Sequence, residues 1–412
     1  MKLLWLNAGL LLPLDKGGKL RTWHVMRHIA RRHDITYLSF DDPAASRAHH
    51  DGMREVCREL LTVPRTDAAK GTLRFYTGAA RYVLDSVPYA VAKYRSAAFR
   101  ARVEALLEAN RFDAIVCDFL PPAINLPDAL PCPSVMFTHN VEAEIWRRHV
   151  DNAANPILQR LLTQQWRRML RFEERTLARF DLVLAVSNAD RATFERLYPG
   201  SLQSPVHVVQ TGVDTAYFAP SSEAPNRAHL VFTGSMDWLP NEDAMTYFCK
   251  EILPRIREAE PAATLSIVGR SPTPAVRRLA EQHDGIEVTG RVDDVRPHIR
   301  RGAVYVVPLR IGGGTRLKIF EAMAMGKAVV STTVGAEGLP VTPGTDIAVA
   351  DDPDEFARAV VRLIRDEAGR EALGARARQL VIGRYDWSAV ALDFEAALAR
   401  AARGHVSQRA IA

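Results

Sequence analysis

Residues 311–339 read IGGGTRLKIFEAMAMGKAVVSTTVGAEGL, and this stretch decides the fold. Gly312, Gly313 and Gly314 remove side chains where a backbone must come close to something. Thr315 offers a helix N-cap, and 317–325 carries the apolar spacing of a helix. Gly326 is placed to end that helix, and 328–333 reads as the buried strand that follows. A glycine turn at a helix N-terminus is a ready anion site, because free N–H groups and the helix dipole point outward. Arg316 and Lys318 fall in the predicted first turn, where the dipole disfavours cations. A negative ligand explains them better than helix stability does. Glu321, one turn on, is placed to accept hydrogen bonds from a ribose. An ordinary crossover with a slack loop would account for the glycines, but not for cap, cations and carboxylate in this order.

Outward from this stretch, short apolar runs alternate with longer helical patterns. Strands are expected at 2–7, 35–39, 114–117, 134–138 and 182–186, then at 206–209, 229–233, 264–268, 286–289, 303–307 and 328–333. Helices are expected between them, at 20–32, 97–109, 244–259 and 275–281 among others. Such alternation predicts doubly wound α/β sheets with parallel strands. A chain of 412 residues is too long for one core, so two domains are expected. The break is expected near 200–226, where turn-forming residues cluster, with strand 206–209 assigned to the second half.

Hydrophobic residues make up 47% and charged residues 25%, as in a globular protein. A net charge of +6 suits anionic ligands or an anionic membrane surface. No basic run interleaved with aromatics marks a nucleic-acid groove. Four cysteines, at 57, 117, 132 and 249, lack the spacing of a zinc site or a disulfide framework, which makes a reducing cytoplasm the expected location. The apolar run 3–14 contains Asn7 and lacks a small-residue cleavage site, so it reads as strand and loop rather than signal peptide. No apolar stretch is long enough to span a membrane.

The 311–339 segment resembles the nucleotide-sugar site of retaining GT-B glycosyltransferases of family 4 (group 1), which include enzymes of bacterial polysaccharide assembly. Further signatures fall in matching order: Gly17-Gly18, Phe137-Thr138-His139-Asn140, Val186-Ser187-Asn188, Thr211-Gly212-Val213-Asp214 with Phe218 and Pro220, and Phe232-Thr233-Gly234-Ser235. The resemblance implies the GT-B architecture, two facing Rossmann-like domains with a cleft between them. It implies an acceptor-side domain over 1–204, a nucleotide-sugar domain over 205–386, and a final helix at 387–403 returning to the first. Gly17 and Gly18 would approach diphosphate and acceptor. His139 would lie beside the donor sugar and, with Arg316 and Lys318, form the catalytic group. Gly234 and Ser235 would line the phosphate site with Gly312, Gly313, Gly314 and Thr315, and Glu321 would bind the ribose. Arg270, Arg291 and Val292 match places where the family holds the base.

Three departures stand out. Met236 and Asn241 occupy places where many family members have an Arg and a Lys on the diphosphate, so Arg316 and Lys318 are expected to supply that charge. Gly313 stands where the family has an earlier Glu near the sugar, so the family's sugar preferences do not transfer. Asp352-Pro353-Asp354 offers a superficial metal motif, but it precedes a predicted helix, and capping explains it. No metal and no cofactor are expected. The expected partners are a nucleoside diphosphate sugar and a glycan or lipid-linked acceptor. The arginine-rich amphipathic run 160–172 adds a peripheral contact with an anionic membrane at its inner face. Two rival readings are a GT-B sugar-nucleotide epimerase or hydrolase, which needs further cleft carboxylates, and an idle scaffold that only binds a nucleotide sugar.

Overall fold

The computed structural model describes residues 1–14, 16–41, 45–64, 85–109, 111–151, 153, 155–311 and 316–409. The chain forms two units, Met1–Gln210 with Val390–Ala412, and Thr211–Ala389.

The first unit is built on β1 (Lys2–Asn7), β2 (Asp34–Phe40), β3 (Glu59–Val63), β4 (Ala114–Asp118), β5 (Ser134–Phe137), β6 (Leu182–Ala185) and β7 (His207–Val208). All pairs are parallel, in the order β3-β2-β1-β4-β5-β6-β7. The second unit holds β8 (Asn226–Thr233), β9 (Thr264–Val268), β10 (Ile286–Gly290), β11 (Gly302–Val307), β12 (Ala328–Ser331) and β13 (Ala348–Val349). These too are parallel, in the order β10-β9-β8-β11-β12-β13. Strands covered on both faces must be apolar throughout, and Leu3, Leu4, Trp5 and Leu6 of β1 are all fully buried. In each sheet the strand order reverses once, at β1/β4 and at β8/β11. The carboxyl ends of strands at such a reversal are where open α/β sheets bind ligands.

Several sequence expectations need correction. Strand 206–209 does not open the second unit. His207 and Val208 pair with Leu184 and Ala185 and close the first sheet. The turn-rich 199–205 stretch is the return loop of a helix–strand crossover, and Val206 and Val209 on either side of the strand are buried. The expected helix at 244–259 begins earlier, as Leu239–Tyr247, and continues through a π turn at Phe248–Ile252 into Leu253–Ala259. Pro254 lacks the N–H that an unbroken α-helix requires at this point. Strands β3 and β13 went unforeseen. The first is a half-buried edge, and the second has only two residues. The final helix spans Trp387–Arg409, and its residues from Val390 onward belong to the first unit. There Phe394 stacks on Trp5 at 5.5 Å and Glu395 pairs with Arg32 at 2.8 Å.

Candidate functional site

The deciding segment behaves as a helix presenting charge at the β8/β11 reversal. The helix is Leu317–Ala324, with Arg316 rather than Thr315 in the N-cap place and no side-chain cap bond. Gly312, Gly313, Gly314 and Thr315 lie outside the described residues. The two cations that flank the helix start diverge. Lys318 reaches the segment after β8, where its Nζ donates to Asn241 Oδ1 at 2.8 Å and stands 4.1 Å over the Phe232 ring. Arg316 reaches the segment after β12, where its Nη2 donates to the Val334 carbonyl at 3.4 Å. Because β8 and β12 flank β11, this one segment sends a positive charge to each side.

The Lys318 ammonium is partly buried. Burial, and then Arg316, pull its pKa down to about 7, with Glu321 opposing. Glu321 lies three residues on, on the same helix face. Burial pushes it up to about 7, with Lys318 opposing. Asn241 also donates from Nδ2 to the Ser235 carbonyl at 2.8 Å, which ties the loop to the helix that carries Lys318. Gly234 leaves room for this packing, since a Cβ there would lie 2.6 Å from Asn241 Nδ2 and 2.8 Å from Lys318 Nζ and would displace these side-chain ends. In the sequence alone, Asn241 stands as the loss of a cation. The structure makes it the acceptor that holds a cation arriving from elsewhere.

Ser235 joins the same loop cluster. Its Oγ donates to Asp237 at 2.5 Å and accepts from Arg270 Nε at 3.0 Å. Arg291 and Val292 follow β10, the edge strand. Arg291 is exposed, and Val292 packs partly against the core. Asp352 caps its helix, accepting from the amides of Asp354 at 2.9 Å and Glu355 at 3.1 Å. Among the described residues, no three His, Cys, Asp or Glu side chains gather as a metal cage.

In the first unit, His139 lies at the β1/β4 reversal, but both of its ring nitrogens are engaged. Arg21 Nη1 meets Nδ1 at 2.8 Å, and Asp118 Oδ1 meets Nε2 at 2.6 Å. An arginine only donates, so Nδ1 accepts, and the proton sits on Nε2, directed at Asp118. Burial holds the imidazole below its usual pKa although Asp118 opposes this, so the ring is neutral. Burial also brings Arg21 down to about 10, with Asp190 and Asp118 opposing. Asp118 Oδ2 accepts three further bonds, from Trp5 Nε1 at 3.1 Å, Asn7 Nδ2 at 2.6 Å and Thr22 Oγ1 at 2.8 Å. Asp118, Arg21 and Phe119, which stacks on His139, were missed in the sequence. An acid ending an apolar strand, as in AIVCD, was the available signal. Gly17 and Gly18 open helix Gly17–Ile29, as the glycine turn implied.

Residues 16–217 match the family described as Glycosyltransferase Family 4, and residues 227–366 match that described as Glycosyl transferases group 1. The chain belongs to the family 4 (group 1) glycosyltransferases. It is 30% identical over 191 residues to the phosphatidyl-myo-inositol mannosyltransferase of Mycolicibacterium smegmatis, covering 44% of this chain and 48% of that one. It is 26% identical over 200 residues to a GDP-mannose-dependent monoacylated alpha-(1-6)-phosphatidylinositol monomannoside mannosyltransferase of Corynebacterium glutamicum, covering 43% and 51%. The aligned parts span about half the length of these relatives. Anabaena Alr3699/HepE, solved in complex with UDP, superposes with a TM-score of 0.66 at 15% identity, over 97% of this chain and 100% of that one. The family 4 glycosyltransferase thus has the GT-B fold.

Proposed function

We propose that this glycosyltransferase moves a sugar from a nucleoside diphosphate sugar to a hydroxyl of a glycan or lipid-linked acceptor, retaining anomeric configuration and using no metal ion. The observation that carries the reading is Lys318, a partly buried ammonium held by Asn241 beside the loop that follows β8. Burying a cation is unfavourable unless something compensates it, and a diphosphate does so. The C–O bond between sugar and diphosphate breaks, and negative charge develops on the β-phosphate. Lys318 meets that charge from one side and Arg316 from the other, as preorganised donors do. The amides of 312–315 are expected to join them. The acceptor oxygen bonds to the anomeric carbon from the face the phosphate leaves, and its proton passes to the phosphate. Glu321 receives the ribose hydroxyls. Relatives named as mannosyltransferases and a neighbour solved with UDP support a nucleotide-sugar donor without fixing base or sugar. The exposed arginines of helix Pro156–Leu177 favour a lipid-linked acceptor at an anionic membrane surface, approached from the cytoplasm.

The test is thermal stabilisation by UDP, GDP, UDP-glucose and GDP-mannose, with and without EDTA, followed by donor turnover with and without acceptor. At least one diphosphate should raise the melting temperature in EDTA, and Lys318→Met should abolish the rise. No shift with any nucleotide would overturn the reading. Donor consumption that is fast without acceptor would favour the hydrolase alternative, and binding without any turnover would favour the idle scaffold.

A further inference from the structure

Phe119 follows β4 with φ +67°, the left-handed region in which a bulky side chain is an outlier. Its backbone is held there, because its N–H donates to the Phe137 carbonyl at 3.0 Å. The ring lies nearly parallel to His139, at 3.9 Å and 16°. The ring tip rests on Gly18, where an added Cβ would be 2.4 Å from Phe119 Cζ. The neighbouring Gly17 has open space where a side chain would go. Phe119 is only half-buried, unlike the core aromatics Phe99 and Phe137, which are fully buried. A glycine would adopt this backbone freely, and a filler of the core would be enclosed. A strained, stacked and partly exposed aromatic at the strand-order reversal fits neither role, and strain of this kind gathers at ligand sites.

Building on the glycosyltransferase reading, we propose that Phe119 is the sugar platform of the first unit, taking the apolar C–H face of a pyranose ring of the acceptor or the donor. The ring behind it is neutral and already bonded at both nitrogens, so the platform presents an uncharged face. Gly18 then serves to seat the aromatic ring, and Gly17 keeps the adjoining backbone open.

The experiment compares the full-length protein with Phe119→Gly and Phe119→Ala. The probes are methyl glycosides of glucose, mannose, galactose and N-acetylglucosamine, read by saturation-transfer NMR, with UDP, GDP, UDP-glucose, GDP-mannose, uridine and guanosine as controls. The parent should bind at least one glycoside or gain affinity from the sugar of a nucleotide sugar. Both variants should bind that sugar roughly two- to tenfold more weakly, the range that aromatic stacking supplies. UDP and GDP should bind the variants as they bind the parent. Loss on free glycosides assigns the acceptor ring, and loss confined to the sugar of the donor assigns the donor ring. Urea unfolding is the second readout. Phe119→Gly should be more stable than Phe119→Ala, because only glycine relieves the left-handed backbone. Unchanged sugar binding in both variants would overturn the proposal, as would weakened binding of the nucleosides instead. Failure of UDP and GDP to bind the parent would instead sink the underlying transferase reading.

Discussion

Lys318 carries the proposed phosphate contact of the second unit, and its surroundings dictate how it must respond to substitution and to pH. A charge-assisted hydrogen bond contributes about 1.5–3 kcal/mol, and each 1.4 kcal/mol is about tenfold. Lys318→Met should therefore lower turnover by about ten- to a hundredfold or more. Asn241→Ala leaves the charge in place but frees it to wander, so its effect should be smaller and should be rescued by Gln better than by Leu. Gly234→Ala should weaken the same grip to a smaller degree than Lys318→Met, because a Cβ there would lie 2.6 Å from Asn241 Nδ2 and 2.8 Å from Lys318 Nζ, and these side-chain ends must move away. The pH dependence has a definite sign. Below about 7 Lys318 is protonated, and above it the proton is lost. An anionic ligand favours the charged form, so nucleoside diphosphate affinity should fall as pH rises from 7 to 9, by at most about tenfold per unit. Binding in that window should take up a proton, visible by calorimetry in buffers of different ionisation enthalpy. A flat affinity profile over this range, in a protein that still binds the nucleotide, would remove Lys318 from the phosphate.

Asp118 shows how separate elements are tied into one site. Its carboxylate accepts from Trp5 and Asn7 of β1, from Thr22 of helix Gly17–Ile29 and from His139 after β5. Asp118→Ala would strand four buried donors, each worth about 1–3 kcal/mol when unsatisfied. The predicted loss is at least about 3 kcal/mol, seen as a lower urea midpoint with little change in slope. Asp118→Asn should be milder but should disturb His139, since an amide donor facing Nε2 would move the ring proton to Nδ1 and oppose Arg21. Imidazole nitrogen chemical shifts read that tautomer directly. An Asp118→Ala protein as stable as the parent would show that the network is incidental. This hub was not legible in the sequence, because its partners lie at positions 5, 7, 22 and 139 and only the parallel sheet brings them together. The glycine-rich turn, the helix after it and the strand order could be read because their signals are local. Asn241 lay between these cases. It was visible as a departure, but its meaning depended on a side chain seventy-seven positions away in the chain.

The division into two doubly wound units, with a break inside 200–226, followed from length, alternation and turn residues, whereas the unit to which strand 206–209 belongs did not. The same turn residues serve a domain linker and an ordinary crossover, so only pairing decides that 206–209 closes the first sheet. The amphipathic run 160–172 was equally ambiguous, and here burial adds new information. Helix Pro156–Leu177 turns Met169, Glu173, Thr176 and Leu177 inward, while Ile157 and Leu161 remain 77% and 52% exposed. Arg160, Arg167 and Arg171 are exposed on the same helix. Among the described residues, no helix is long and apolar enough to cross a membrane. Exposed aliphatics beside arginines, in a chain of net charge +6, fit a helix lying at an anionic lipid interface. Basic residues near such a surface contribute about 1 kcal/mol each, and salt screens them. We therefore predict co-sedimentation with vesicles rich in phosphatidylglycerol, weakened at high salt and absent with phosphatidylcholine alone. Ile157→Asp with Leu161→Asp should reduce binding at least about tenfold. The melting temperature should hold, because exposed substitutions usually shift stability by no more than about 0.5 kcal/mol. Arg160→Glu with Arg167→Glu should act in the same direction and flatten the salt dependence. Equal binding to neutral and anionic vesicles, or full binding by the double aspartate variant, would move the acceptor away from an anionic membrane while leaving the proposed phosphate site of the second unit untouched.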